Sequence, residues 1–285
     1  MAKRHGKSNR RLLAAFFLLA ALLIALCWGN VSIQTERFTF ASAKLPEGFE
    51  GFRAVVLTDL HGQEFGRDNG ALLAAVTAQE PDVILLVGDL VDERTEDARG
   101  YAAHLGAALC GLAPTYYVTG NHEWARGTGE TEALKTALTD SGVTVLSNEF
   151  CELSRGGDTV ILAGIDDPNG YADQKTPETL AAEIYAAYGD PFWVLLAHRN
   201  DRFAPQYSLL GADLTVSGHG HGGCIRLPLL GGLLGTQHEF FPSHTAGFYT
   251  ESGASVFVSR GLGNVGRTFR VFNRPQLAVI TFERG

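Results

Sequence analysis

The chain has 285 residues, 45% of them hydrophobic and 19% charged, with 23 basic against 31 acidic side chains and a formal net charge of −8. That length accommodates one large domain or two small ones with a substantial core. The acid excess argues against a general nucleic-acid binder. Four cysteines, widely spaced, make neither a disulfide framework nor a C-x-x-C metal pattern.

In chain order, residues 1–11 carry Lys3, Arg4, Lys7, Arg10 and Arg11 with no acid, and Leu12 to Trp28 then runs without a charge. Seventeen apolar residues are at the short end of what crosses a bilayer as a helix. A cleaved signal peptide shares this pattern. The reading favoured is an uncleaved anchor, because Ala41-Ser42-Ala43 lies well past the apolar run and the residue before Cys27 is Leu26, too large for lipoprotein processing. The positive-inside rule keeps residues 1–11 in the cytoplasm and places the rest outside, giving a single-pass plasma-membrane protein with an extracytoplasmic body. With the five tail basics set aside, 18 basic residues face 31 acidic ones in that body, a net of −13.

Residues 29–50 read as a tether leading into a first strand, with alternation at Val31, Ile33, Phe38 and Phe40, and the globular body begins near Phe52. Short β-rich runs then alternate with helical stretches: RAVVLTD, DVILLVGD, TYYVTGNH, DTVILAGID, FWVLLAHR and ADLTVSGH against residues 69–80, 96–112, 130–141 and 177–188. That order indicates an α/β domain with buried, largely parallel strands. Toward the end, GFYT-ESG-ASVFVSR reads as a hairpin turning at Glu251-Ser252-Gly253, and TFRVF and PQLAVITF as further strands, so the ending is antiparallel. No linker divides residues 51–285, which form one domain. Cys110, Cys151 and Cys224 read as buried free thiols, with a bridge between Cys110 and Cys151 left open.

Five of the apolar strands end in polar groups of metal-binding type: Asp59-Leu60-His61, Gly88-Asp89, Gly120-Asn121-His122-Glu123, His198, and Gly218-His219-Gly220-His221. Each motif alone is an ordinary turn, cap or core histidine. In order after successive buried strands, they meet along the strand-end edge where α/β sheets bind ligands. Imidazoles, carboxylates and one amide oxygen without thiolate suit Mn, Fe or Zn.

The motifs DLH, GDLVD, GNHE, AH and GHGH, with the tail VSRGLGNVG, resemble the calcineurin-like metallophosphoesterases, and within them the bacterial membrane-anchored phosphodiesterases. The resemblance covers roughly residues 50–285. It implies a four-layer α/β/β/α sandwich of two mixed sheets, preceded here by one transmembrane helix. It also implies two divalent metal ions per chain, one on Asp59, His61 and His221 and the other on Asn121, His198 and His219, with Asp89 bridging. His122 would then assist the leaving group, oriented by Asp92, while Glu123, where many relatives carry Asp, supports the loop. Gly220 stands where a Thr is often found and His198 lacks the common following Pro. Neither change removes a ligand.

Arg199, Arg260 and Arg267 are candidate phosphate-gripping side chains, each with an ordinary surface ion pair as its bland alternative. The segment Ile225 to Gly235, with Leu229, Leu230, Leu233 and Leu234, reads as a core hairpin or as an apolar rim meeting the bilayer. The expected activity is hydrolysis of a phosphodiester or pyrophosphate bond in a small phosphorylated molecule or a lipid-linked envelope component, with no nucleic-acid partner. A phosphomonoesterase, protein phosphatases included, and a non-catalytic metal-binding module are the alternatives.

Overall fold

The computed structural model describes residues 3–227, 230–235, 239–265 and 268–285, with side chains from Leu12 onward. It opens with a continuous helix, α1 (Lys3–Val31), whose apolar part, Leu12–Val31, has 20 residues and a mean hydropathy of 2.6. At 1.5 Å per residue that part is about 30 Å long, enough to cross a bilayer.

The body follows as β1 (Gln34–Ala41), β2 (Arg53–Leu57), α2 (Gly70–Thr77), β3 (Val83–Val87), α3 (Ala98–Cys110), β4 (Thr115–Val118), α4 (Asn121–Ala125), α5 (Thr128–Asp140), β5 (Thr144–Val145), β6 (Glu149–Arg155), β7 (Asp158–Gly164), α6 (Pro177–Tyr188), β8 (Trp193–Arg199), β9 (Leu214–Gly218), β10 (Ile225–Leu227), β11 (Gly231–Leu234), β12 (Gly247–Glu251), β13 (Ala254–Val258) and β14 (Gln276–Glu283). Two six-stranded sheets form, ordered β1-β14-β2-β3-β4-β5 and β12-β13-β9-β8-β7-β6, with β10-β11 as a separate ribbon. Both large sheets are mixed. β2, β3, β4 and β5 run parallel, as do β7, β8, β9 and β13, while β14 is antiparallel to β2, and β6 and β12 close the second sheet as antiparallel edges.

Strand periodicity explains the layering. In β2 and β3, Val55, Leu57, Ile84 and Leu86 face α2, α3 and α5, while Ala54, Val56, Leu85 and Val87 face the second sheet. In β7 and β8, Leu162, Val194 and Leu196 point back at the first sheet, and Ile161, Trp193 and Leu195 pack under α6 through Leu180 and Ile184. Strands buried on both faces read as unbroken apolar runs, which is how the sequence displays them.

Two expectations are corrected. The first strand expected within residues 29–50 is present as β1, but it pairs with β14 along its full length, so the folded body begins at Gln34 rather than near Phe52. TFRVF forms no strand, and among the described residues it is bridged to the ribbon at Ile225–Val271. The cysteines are free thiols, as expected, with Cys110, Cys151 and Cys224 partly rather than fully buried; Cys110 and Cys151 pack against different cores and do not pair. The hairpin between β12 and β13 turns at Ser252 and Gly253, both at positive φ.

β14 also determines where α1 joins the body. It is parallel to β1 and antiparallel to β2, so the start of β1 lies at the same edge of the sandwich as the carboxyl end of β2.

Candidate metal centre

At that edge the carboxyl ends of β2, β3 and β4 from one sheet meet those of β8 and β9 from the other. Asp59, His61, Asp89 and Asn121 come from the first sheet, and His198, His219 and His221 from the second. Two groups of donors form: Asp59, His61, Asp89 and His221 in one, Asp89, His198 and His219 in the other, with candidate ligand atoms within 4.8 Å of each other in each group. Asp89 belongs to both. His198 Nε2 lies 3.0 Å from Asp89 Oδ2, His221 Nε2 lies 3.4 Å from Asp59 Oδ1, and the Nε2 atoms of His61 and His221 are 3.1 Å apart.

The backbone is bent to bring these side chains inward. Asp59, His61, Asp89, His219 and His221 all have φ between 48° and 68°. This left-handed conformation costs roughly 1–2 kcal/mol per non-glycine residue, and such strain concentrates where function requires it. Glycine makes room beside them. Gly88 has φ +76°, and a Cβ there would lie 2.5 Å from His198 Nδ1; a Cβ on Gly218 would collide with Thr58 and Asp59. His198 itself sits where the β8–β9 register shifts, a device that re-aims a side chain.

Hydrogen bonds fix the donors' orientation. Thr58 Oγ1 donates to Asp59 Oδ2 at 2.6 Å, the His219 amide to Asp59 Oδ1 at 3.0 Å, and the His122 amide to Asp89 Oδ1 at 2.9 Å. His198 Nδ1 donates to the Val87 carbonyl at 2.8 Å, which leaves Nε2 with its lone pair free. His61 Nδ1, Asn121 Oδ1 and His198 Nε2 are buried without a hydrogen-bond partner. Orphaned acceptors facing two carboxylates are what a cation would satisfy, so the residues fit a pair of divalent ions.

Electrostatics agree. Burial lowers His61 to about 4, and burial with His198 and Arg199 lowers His219 to about 3; burial also takes His221 well below its ordinary range. These are the neutral imidazoles that metals require. Burial opposes charge on His198 as well, but Asp89 and Asp59 outweigh it and raise the ring to about 10. Asp89 is held low because His198, His61 and His122 outweigh its burial.

His122 lies next to the cluster, its ring 4.8 Å from that of His61. Its Nδ1 pairs with Glu93 Oε2 at 3.0 Å, not with Asp92 as the sequence suggests. Asp92 Oδ1 instead accepts from the amides of Arg94 and Thr95 and from the Thr95 hydroxyl, holding its own turn. Glu123 accepts from the amides of Asp89, Val91 and Gly120, tying two motif segments together, although burial and Asp89 push it up to about 7.

Of the three arginines, Arg199 is at the site. Its Nε donates to Asp167 at 2.8 Å and its Nη1 lies 3.4 Å from His219 Nε2. Arg260 is buried against Gly222 and pairs with Glu36 at 2.6 Å, so it braces the fold and does not face a substrate. Arg267 lies outside the described residues. The sequence reading missed Arg270, which is buried with Nη2 3.2 Å from His221 Nδ1 and also bonds the Gly263 and Arg260 carbonyls. It missed Asn273, whose Nδ2 bonds the His221 and Gly223 carbonyls, and Asn30 at the end of α1, which exchanges hydrogen bonds with the Arg270 backbone at 2.8 and 2.9 Å. The irregular tail segment that carries Arg270 and Asn273 shows no periodic signal.

The calcineurin-like phosphoesterase profile matches residues 52–223, more than half of the chain and all seven candidate ligands. The chain belongs to that family. It is 28% identical to the Bacillus subtilis metallophosphoesterase YkuE over 88% of this chain and 86% of the relative. It is 30% identical to a zebrafish transmembrane protein with a metallophosphoesterase domain, over 85% of this chain and 55% of that protein. Among solved structures, the NAD nucleotidase of Haemophilus influenzae superposes with a TM-score of 0.50 at 16% identity, covering 74% of this chain and 46% of that one. The Thermus thermophilus sulfate thiohydrolase SoxB gives 0.51 at 13%, covering 84% and 57%. The protein is thus a calcineurin-like metallophosphoesterase, a hydrolase of phosphoric esters, with the fold of two packed mixed sheets and a buried His/Asp cluster able to bind metal.

Proposed function

We propose that this phosphoesterase cleaves a phosphodiester or pyrophosphate bond in a lipid or other envelope amphiphile, held at the plasma membrane by α1 with its basic end in the cytoplasm and its catalytic domain outside. The observation that carries the substrate reading is a cleft of about 410 Å³ beside His219, lined by Asn200, Asp201, Ser243, His244, Thr245 and Glu251 among others. Its described lining holds no lysine or arginine. A polyphosphate or nucleic-acid strand would need cations there, whereas a hydroxyl-rich leaving group suits amides, hydroxyls and carboxylates.

In this reading Asp59, His61 and His221 would hold one divalent ion and Asn121, His198 and His219 the other, with Asp89 serving both. Mn, Fe and Zn all suit these donors. Such a pair would supply Lewis-acid polarisation of the phosphoryl group and a water acidic enough to attack near neutral pH. The side chains do the rest. Arg199, oriented through its Nε by Asp167, would grip a non-bridging phosphate oxygen with the rest of its guanidinium. His122, protonated and anchored through Nδ1 to Glu93, donates from Nε2 to the departing alkoxide. Burial lowers the affinity of His122 for its proton, but Asp89 and Glu93 outweigh it and the net shift is upward, which favours the acid form.

The test is hydrolysis of chromogenic diester and monoester substrates by the full chain in detergent, with Mn²⁺ and then with chelator, alongside His122→Ala. Metal-dependent diester cleavage that the variant loses is expected. Monoester cleavage in large excess over diester, or activity indifferent to His122→Ala, overturns the reading.

A further inference from the structure

The tail segment that braces His221 also carries exposed aromatic rings. Phe269 and Phe272 flank Arg270, and the Phe272 side chain is 67% exposed. Phe272 forms one wall of a groove of about 340 Å³ whose other wall is α1, through Leu22, Ala25, Leu26 and Trp28. At 1.5 Å per residue, Leu22 lies about 13 Å back along α1 from Val31. A helix that spans the bilayer from Leu12 to Val31 therefore takes Phe272 with it to the depth of the upper acyl chains.

Backbone pairing links this tail segment to further exposed apolar side chains. Val271 is bonded into β10 through the Cys224 carbonyl and the Arg226 amide, and β10 pairs with β11. β11 in turn pairs with the next segment through the Leu234–Phe240 bridge and the Phe241 amide on the Leu233 carbonyl. Phe240 and Phe241 are 73% and 64% exposed, and Leu230, between β10 and β11, is 69% exposed. The segment bearing these two phenylalanines runs on into Pro242, Ser243, His244 and Thr245, which line the cleft beside His219. Of the residues the sequence reading gave to an apolar rim, Leu229 lies outside the described residues and Leu233 and Leu234 are only partly exposed.

The junction has the chemistry of a membrane interface. The Arg274 guanidinium sits 4.5 Å over the Trp28 ring and its Nε donates to Ser32 Oγ at 3.0 Å. Tryptophan and arginine at a helix end mark the headgroup level. Chain topology places that level at the metal edge of the sandwich, since β14 puts the start of β1 beside the carboxyl end of β2.

We infer that the face bearing Leu230, Phe240, Phe241, Phe269 and Phe272 is the bilayer-contacting surface of the domain, seated in the headgroup and upper acyl region of the membrane that α1 enters. The cleft beside His219 consequently opens at the membrane surface and receives the headgroup of an amphiphile without lifting it into water. Exposed phenylalanines on a soluble face would be an aggregation liability; next to a membrane anchor they have a solvent that suits them. This inference rests on the reading of α1 as an anchor.

The test uses the full chain in lipid nanodiscs with and without brominated acyl chains, which quench tryptophan on contact. Trp28 in the unmodified chain reports whether α1 is inserted. In a Trp28→Phe background, where Trp124 and Trp193 are buried inside the domain, Phe240→Trp and Phe272→Trp are made separately, with Tyr188→Trp as the control. Tyr188 ends α6, ahead of the start of β8, and so lies at the opposite end of the sandwich. Quenching at 240 and 272 comparable with that of Trp28, and none at 188, is expected. An added tryptophan unquenched at 240 overturns the inference, because contact would then be confined to the junction with α1. An unquenched Trp28 overturns the anchor and the surface together. Bound metal per chain confirms that each variant is folded. No outcome depends on turnover, so a failure of the lipid-substrate reading remains separate from a failure of this one.

Discussion

Glu93→Gln isolates the contact that differs most from what the motifs suggest. The ion pair with His122 Nδ1 spans 3.0 Å, with the Glu93 side chain 48% and the His122 side chain 20% exposed. Solvent screens a pair that open, so it is worth about 0.5–1 kcal/mol. At 1.36 kcal/mol per pKa unit, its loss lowers the His122 pKa by roughly 0.4–0.7 unit. The sign follows from the role. A general acid must be protonated, activity falls as pH rises through its pKa, and Glu93 raises that pKa. The variant's alkaline limb of kcat against pH therefore moves to lower pH by about half a unit, and rates beyond it fall roughly 2.5- to 5-fold. Asp92→Asn keeps the Glu93 contact and leaves the limb in place, although it loosens a turn and costs some stability. The assay is a pH profile of kcat on a chromogenic substrate for the unmodified chain and both variants. If the limb moves in Asp92→Asn and stays in Glu93→Gln, the assignment of His122's partner is wrong.

Gly88→Ala forces a Cβ at φ +76° to within 2.5 Å of His198 Nδ1, and elemental analysis is expected to find fewer than two metals per chain; full loading would show that His198 can move at no cost. Chelation should lower Tm, because ligands that bind only the folded state at about 100 times Kd stabilise it by roughly 2.7 kcal/mol per site; an unchanged Tm would mean that the cluster holds no metal. Arg199→Ala removes one charged hydrogen-bonding group, worth about 1.5–3 kcal/mol, and should raise KM by about tenfold or more with a smaller change in kcat. Arg260→Met should do the reverse, lowering Tm while leaving KM unchanged, because its guanidinium is spent on Glu36 inside the fold.

The parts of this site that were legible in the sequence share a physical cause. β2, β3, β4, β8 and β9 are buried on both faces, so each shows as an apolar run, and a polar residue at its end has to be there for a reason outside the core. Asp59, Asp89, Asn121, His198 and His219 all stand at such ends. Their gathering at one edge follows from parallel pairing alone, although two sheets share the work where a single open sheet would also have satisfied the pattern. The carboxylate that meets His122 was not legible, since Asp92 and Glu93 are neighbours and only the turn geometry decides that one serves the loop and the other the ring. Arg270 and Asn273 were hidden for a different reason. They act on His221 across some 50 residues of chain from a segment with no strand or helix period.

Asn30 shows what that hidden layer accomplishes. It is the next-to-last residue of α1, its side chain both donates to and accepts from the Arg270 backbone, and Arg270 in turn reaches the ring and carbonyl of His221. The end of the apolar helix and a histidine of the buried His/Asp cluster are thus separated by a single residue. A tether that merely restrained diffusion would leave through a flexible linker, but here only Ser32 and Ile33 separate α1 from β1. Burying the Asn30 side chain at that junction costs desolvation unless all its hydrogen bonds are made, and with Leu26, Arg270 and Asn264 they are. A satisfied buried amide specifies one geometry where an apolar residue would permit several. The orientation of the domain on α1 is therefore coupled to the His/Asp cluster, and Asn30→Leu, which keeps the helix apolar and removes that specification, should lower the metal bound per chain in the full protein without changing its partition into detergent or vesicles.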